Sequence, residues 1–229
     1  MKRNFGYFKK SVIEFIAAAI ILLLSILFFS IIADEIVIEK ENSFDTTVFR
    51  YISSFTSPST TQAALFVTNF GSGYFLIPAY IFIILYHVKI KKTKEATIVG
   101  IIAIISLLSG WLLKVLFHRP RPSLPLISGV GGFSFPSGHS LAGFTFSGVL
   151  IYLLWRTSLK PFLKWLLSIL LIIFSILIGT SRIYLRVHFA SDVLASLLLT
   201  VVWLSLTFIL LETIEKKSIQ VKTDELGNA

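Results

Sequence analysis

The chain contains no cysteine. Neither a disulfide nor a thiolate-bound metal can therefore hold it together. Charge is also scarce: Asp, Glu, Lys and Arg make up 14% of the 229 residues, against about a quarter in a soluble domain. Acidic side chains are the rarer sign, 12 against 21 basic ones, for a net charge of +9. That excess does not point to nucleic acid. The basic residues flank apolar blocks, and no basic patch interleaved with aromatics occurs outside them. Internal repeats and low-complexity runs are absent too.

What the chain has in abundance is apolar sequence, 55% of residues, with a mean hydropathy of +0.85. It comes in long blocks, and about 18 or more apolar residues with few charges suffice to cross a bilayer. Six blocks read as spans: 12–33, 69–87, 96–117, 141–155, 162–180 and 190–211. They predict an all-α fold, an integral-membrane bundle of six transmembrane helices. A single domain fills 1–229, with its core at about 12–211 and cytoplasmic tails at 1–11 and 212–229. The first block follows Lys2, Arg3, Lys9 and Lys10. It is longer than a signal-peptide core and lacks a small-x-small site after it, so it reads as a retained helix. Residues 42–56 set Phe44, Val48, Phe49, Ile52 and Phe55 at helical spacing. This predicts an additional amphipathic helix on the outer side, either lying on the membrane surface or capping the bundle. Gly71 and Gly73 predict close packing, and the polar tail after Leu211 predicts disorder.

Lysine and arginine near helix ends favour the cytoplasmic side. Four basic segments fall on one side of a six-helix bundle: the N-terminus; Lys89, Lys91, Lys92 and Lys94; Arg156, Lys160 and Lys164; and Lys216, Lys217 and Lys222. The first outer loop is acidic on balance, with Asp34, Glu35, Glu39, Glu41 and Asp45 against Lys40 and Arg50. Two outer segments break the pattern, one with Lys114, Arg119 and Arg121, the other with Arg182 and Arg186. A bound anion explains cations on the disfavoured side, although any one of them alone could be a snorkelling side chain.

Three short motifs share those outer segments. The first is K-x6-R-P, from Lys114 to Arg121 and Pro122. The second is PSGH, ending at His139, and the third is S-R-x5-H-x3-D, from Ser181 through Arg182 and His188 to Asp192. His188 and Asp192 are four apart, which places them on one face of a helix. The carboxylate then fixes one ring nitrogen and leaves the other free as base or nucleophile. Ser137 suits an N-cap and Gly138 a close backbone approach, and a helix N-terminus binds anions. Pro120 and Pro122 stop the preceding helix, so that Arg121 turns back over Lys114. The set suits phosphoryl transfer, where catalysis is largely positioning and charge stabilisation. Lys114, Arg121, Arg182, Ser137 and the Gly138 amide would hold phosphate. His188 would attack phosphorus, and His139 would protonate the leaving oxygen and later activate water.

These motifs resemble those of the type 2 phosphatidic acid phosphatase superfamily. They span residues 114–192, every motif position is matched, and the six-helix plan extends the likeness over most of the chain. The resemblance implies the same roles: His188 nucleophile, His139 general acid, Asp192 orienter, with Lys114, Arg121, Ser137, Gly138 and Arg182 on the phosphate. It implies no metal or cofactor. The substrate would be a membrane lipid phosphate such as phosphatidylglycerophosphate, phosphatidic acid or undecaprenyl pyrophosphate, and neither nucleic acid nor an obligate protein partner is expected. His118, Arg119 and Arg186 lie outside the motifs and read as headgroup or structural residues, and His87 as an inner-interface residue.

Other classes fit less well. An anion or phospholipid-headgroup transporter would need charges near the middle of the helices, and the spans carry none there. A metal hydrolase using His139, His188 and Asp192 would need more carboxylates and fewer neighbouring cations. A serine hydrolase at Ser137 would need a G-x-S-x-G elbow, which is absent.

Overall fold

The computed structural model describes residues 2–38 and 43–227. Among the described residues there are eight helices and no strand. They are α1 (Lys2–Ile38), α2 (Ser43–Ser53), α3 (Pro58–Asn69), α4 (Gly73–Lys89), α5 (Thr93–Phe117), α6 (Gly138–Trp155), α7 (Pro161–Tyr184) and α8 (Ala190–Gly227). Among the described residues, six segments are long and apolar enough to cross a membrane: Ile13–Ile36, Pro58–Lys89, Thr93–Phe117, Gly138–Trp155, Pro161–Tyr184 and Ala190–Leu211. The protein is thus an all-helical, multi-pass membrane bundle.

Helix α6 is central and packs against α5, α7 and α8. Helix α1 lies along α8, α4 along α5 and α3 along α7, while α2 rests on α7 and α8. Small polar side chains are buried among the apolar core residues, and the outer surface is apolar. Ser106, Thr145, Ser147, Ser175, Ser196 and Thr200 are buried, whereas large aliphatic side chains such as Leu23, Leu107 and Leu170 face outward. Small residues at helix contacts permit the close approach that membrane helices rely on. Ser106 and Thr145 hydroxyls lie 3.0 Å apart, and those of Thr145 and Thr200 3.3 Å, which joins α5, α6 and α8.

The second span departs from the sequence expectation. Its apolar segment begins at Pro58, not at residue 69, and is broken at 70–72 into α3 and α4. Ser57 caps α3 by accepting a hydrogen bond from the Thr60 N–H, and Pro58 takes the first helical position. At the break, a Cβ on Gly71 would stand 2.9 Å from the His139 carbonyl oxygen and 2.7 Å from Ile178. Gly71 therefore makes the close packing expected of it, whereas Gly73 meets only Ile77 of its own helix.

Helix α8 continues to Gly227, where the polar composition predicted disorder. No proline or glycine interrupts it before Gly227, and Leu, Glu and Lys favour helix. Helix α2 matches the amphipathic segment, with Val48, Phe49 and Ile52 half-buried. Phe44 and Phe55, expected on the same face, are exposed. Ile52 packs on Tyr184, Leu185 and Val187, so α2 caps the bundle. Glu39, Lys40 and Glu41 of the expected acidic loop, and Asn42 at the start of the amphipathic segment, lie outside the described residues.

Candidate active site

The bundle brings the three motifs to one end. Lys114 occupies the last turn of α5, which His118 closes in the left-handed conformation (φ 47°), its N–H donating to the Lys114 carbonyl. The helix thus ends one residue before the Arg119–Pro120 pair. Ser137 caps α6, its Oγ accepting from the N–H and hydroxyl of Ser140. The Ser137 N–H donates to the Asp192 carbonyl at 3.2 Å. The Ser196 hydroxyl bridges the carbonyls of Ser137 (3.0 Å) and Asp192 (2.7 Å). The starts of α6 and α8 are thereby stapled together.

His188 lies just ahead of α8 rather than on it, so the helical-face argument gave the right pair for the wrong reason. Asp192, in the first turn, reaches back: its Oδ2 accepts from the Phe189 N–H at 3.0 Å and stands 3.3 Å from His188 Nδ1. Arg121 faces the other ring nitrogen, its Nη1 3.2 Å from His188 Nε2. A guanidinium can only donate, and a carboxylate only accept. The two neighbours therefore select one tautomer, with hydrogen on Nδ1 and a lone pair on Nε2. Burial pushes His188 down to about 4, against the opposing pull of Asp192. Arg121 is likewise lowered by burial, with Asp192 acting the other way.

Lys114 and Arg121 are parked on backbone carbonyls. Lys114 Nζ donates to Phe133 O (2.8 Å) and Ser134 O (3.4 Å). Arg121 Nε donates to Gly131 O and Gly132 O, and Nη1 to Val187 O. Arg182 is buried and donates from Nη1 to Thr68 Oγ1 at 2.7 Å, while its Nε has no hydrogen-bond partner. A buried donor without an acceptor is costly, and a phosphate oxygen would relieve it. His139 is half-buried in the first turn of α6, within electrostatic reach of Arg182, His188, Arg121 and Lys114. Lys114 Cε would meet a Cβ on Gly138 at 3.9 Å, so the lysine passes directly over that glycine. All eight predicted site residues are thus at one end. Among the described residues, no three His, Asp or Glu side chains gather as a metal-binding group.

Sequence reasoning missed three participants. Thr68 holds Arg182. Arg119, read as a headgroup or structural residue, is buried and donates to both Asp192 Oδ1 and Asp45 Oδ2 at 2.7 Å. Asp45, counted as loop charge, is 1% exposed. Its position one turn ahead of Phe49 on a predicted amphipathic face was the only available signal. Arg186 lies 5.5 Å from the Phe49 ring centroid, His118 is exposed, and His87 lies in the last turn of α4 with Nδ1 2.8 Å from the Ile83 carbonyl oxygen.

A family model described as the PAP2 superfamily matches residues 95–216. Phosphatidylglycerophosphatase B of Bacillus subtilis (strain 168) is 30% identical over 171 residues, 73% of this chain and 83% of the relative. An undecaprenyl-diphosphatase of Sulfolobus acidocaldarius is 28% identical over 200 residues, 84% of this chain and 90% of the relative. The crystal structure of a transmembrane PAP2-type phosphatidylglycerolphosphate phosphatase from Bacillus subtilis superposes with a TM-score of 0.76 at 28% identity, covering 84% of this chain and 96% of that one. Aquifex aeolicus LpxE, at 24% identity, shares the fold with a TM-score of 0.61, over 74% of this chain and 98% of its own.

Proposed function

This chain belongs to the PAP2 superfamily as a membrane phosphatase of lipid phosphates, and from that premise we propose a phosphohistidine mechanism at His188. The supporting observation is the tautomer: a neutral imidazole presents its Nε2 lone pair to Arg121, within electrostatic reach of Lys114. Nε2 attacks the terminal phosphorus, and the bond from phosphorus to the lipid oxygen breaks in line. His139 gives its proton to that oxygen. The three cations, the Ser137 hydroxyl and the Gly138 amide stabilise the charge on the equatorial oxygens. Asp192 stabilises the imidazole as it becomes cationic. Water then attacks the phosphohistidine, His139 takes its proton, the P–N bond breaks and inorganic phosphate leaves.

The substrate class is a lipid bearing a terminal phosphate, its tails in the bilayer and its phosphate at the motif end. The likeness to the Bacillus subtilis enzymes puts phosphatidylglycerophosphate first, and the archaeal relative adds undecaprenyl diphosphate. The motif end faces away from the cytoplasm, with both tails inside. The mechanism uses no metal, since three cations surround the phosphate and one carboxylate accompanies it.

Purified protein in detergent, given these lipids and phosphatidic acid with EDTA present, should release phosphate and be inhibited by vanadate. Vanadate bonded to a histidine nitrogen mimics the in-line transition state, and such mimics bind tightly. Loss of activity in EDTA, restored by a divalent metal, would replace this mechanism with metal-assisted hydrolysis.

A further inference from the structure

We propose that Asp45, acting through Arg119, is a positioning residue for the nucleophile, and that α2 is thereby part of the catalytic apparatus. The inference rests on the reading of His188 as nucleophile with Asp192 as its partner. Asp45, Arg119, Ser191 and Asp192 are joined in one buried network. Arg119 Nη2 donates to Asp45 Oδ2, and its Nη1 to Asp192 Oδ1 and Ser191 Oγ, each at 2.7 Å. Asp45 also accepts from the Ser191 N–H at 2.8 Å and from the Ser191 hydroxyl at 2.6 Å. The Arg119 guanidinium lies 4.1 Å from the centroid of the Phe189 ring. The turn carrying His188 is thus held at Phe189 and at Ser191, the residue before Asp192.

This division of contacts has two effects. Arg119 occupies Asp192 Oδ1, so the carboxylate cannot rotate and Oδ2 stays aimed at His188 Nδ1. Asp45 also shares the arginine's positive charge. Two carboxylates thus face one guanidinium. Without Asp45, the arginine would cancel Asp192, just where the imidazole must gain positive charge during attack. Burying three charges is expensive, and an apolar contact would fasten α2 as well or better. The charges make sense where the carboxylate's field and aim matter.

The test compares Asp45→Asn with wild type in detergent. Asparagine keeps the shape and an acceptor but removes the charge. We expect kcat to fall about 10–100-fold, by analogy with the outer partners that orient metal-binding histidines, with KM changed less than about threefold. Vanadate inhibition should weaken in step with kcat, because vanadate mimics the transition state, while inhibition by inorganic phosphate stays unchanged. Arg119→Gln should lose more activity, since two buried carboxylates then lose the cation between them. Adding Asp45→Asn to Arg119→Gln should raise kcat, reversing the sign of the substitution. Ser191→Ala, which changes no charge, should give a smaller loss with the same vanadate pattern and serves if Asp45→Asn does not fold. An Asp45→Asn enzyme with wild-type kcat, beside an inactive His188→Ala, would overturn the inference alone. So would parallel loss of phosphate affinity, melting temperature and kcat, which marks a merely structural role. Full activity in His188→Ala would instead overturn the parent reading.

Discussion

At the scale of single residues, the site depends on a histidine kept neutral. His188 is 2% exposed, and burial holds it near 4, below its ordinary 6.5. Protonation would occupy the Nε2 lone pair, so attack is possible above about pH 4 and lost below it. The same shift acts on stability. Between 6.5 and about 4 the unfolded chain binds a proton at this residue that the folded chain refuses, so stability falls as pH drops through that window. The chain has only 4 histidines, which makes ring nitrogen NMR practical. One histidine should stay neutral with hydrogen on Nδ1 down to about pH 4 and vanish from the spectrum of His188→Ala. A histidine lost in that variant but titrating near 6.5 would refute the assignment. His188→Ala should abolish turnover. Ser137→Ala should only weaken it, since one hydrogen bond to charged phosphate is worth about 1.5–3 kcal/mol, seen as a drop in kcat/KM. A covalent phosphoryl adduct on Ser137 would show the roles exchanged.

At the scale of helices, the break between α3 and α4 sets His139. Gly71 lies against the His139 backbone at a separation no side chain could share. Gly71→Ala should force α6 or the 70–72 turn to shift, costing about 1–3 kcal/mol of stability as overpacking does. It should lower kcat more than KM, because His139 donates its proton only during reaction. Thermal melting and steady-state kinetics on one preparation check both; an unchanged Tm and kcat would mean the contact yields freely. This contact also marks where sequence reading stops. Apolar length found the six spans, the second only from residue 69, and counting spans with the lysine bias brought the three motifs to one end, because each span is a local signal. Helix α3 was missed because its first turns, Ser-Thr-Thr-Gln, are polar and carry no span signal, although Ser57 and Pro58 announce a helix start. Asp45 and Arg119 are 74 residues apart, and hydropathy scores both as surface charge. Only the fold shows that the two pair inside the protein.

At the scale of the whole molecule, the two ends of the bundle hold their cations differently, and this difference predicts sidedness. Lys89, Lys91, Lys92 and Lys94, between α4 and α5, are exposed, as are Arg156 and Lys160 between α6 and α7. At the motif end, Arg119 and Arg182 are 2% and 4% exposed, and Lys114 and Arg121 are half-buried. Exposed cations next to helix ends govern which side stays cytoplasmic. Buried ones with partners inside the protein answer to the fold instead, so the motif cations do not count against an outward site. The end bearing α2, the 118–137 loop and His188 should therefore face the periplasm or cell exterior. Substrate must then reach the outer leaflet before cleavage, and phosphate departs on that side. The absence of native cysteine makes the test direct. Ser128 is exposed in the loop of the motif end, and Thr93 is exposed at the opposite end. In intact cells, Ser128→Cys should react with a membrane-impermeant maleimide, and Thr93→Cys should react only after the membrane is permeabilised. The reverse pattern would turn the bundle over and place hydrolysis, and its released phosphate, in the cytoplasm.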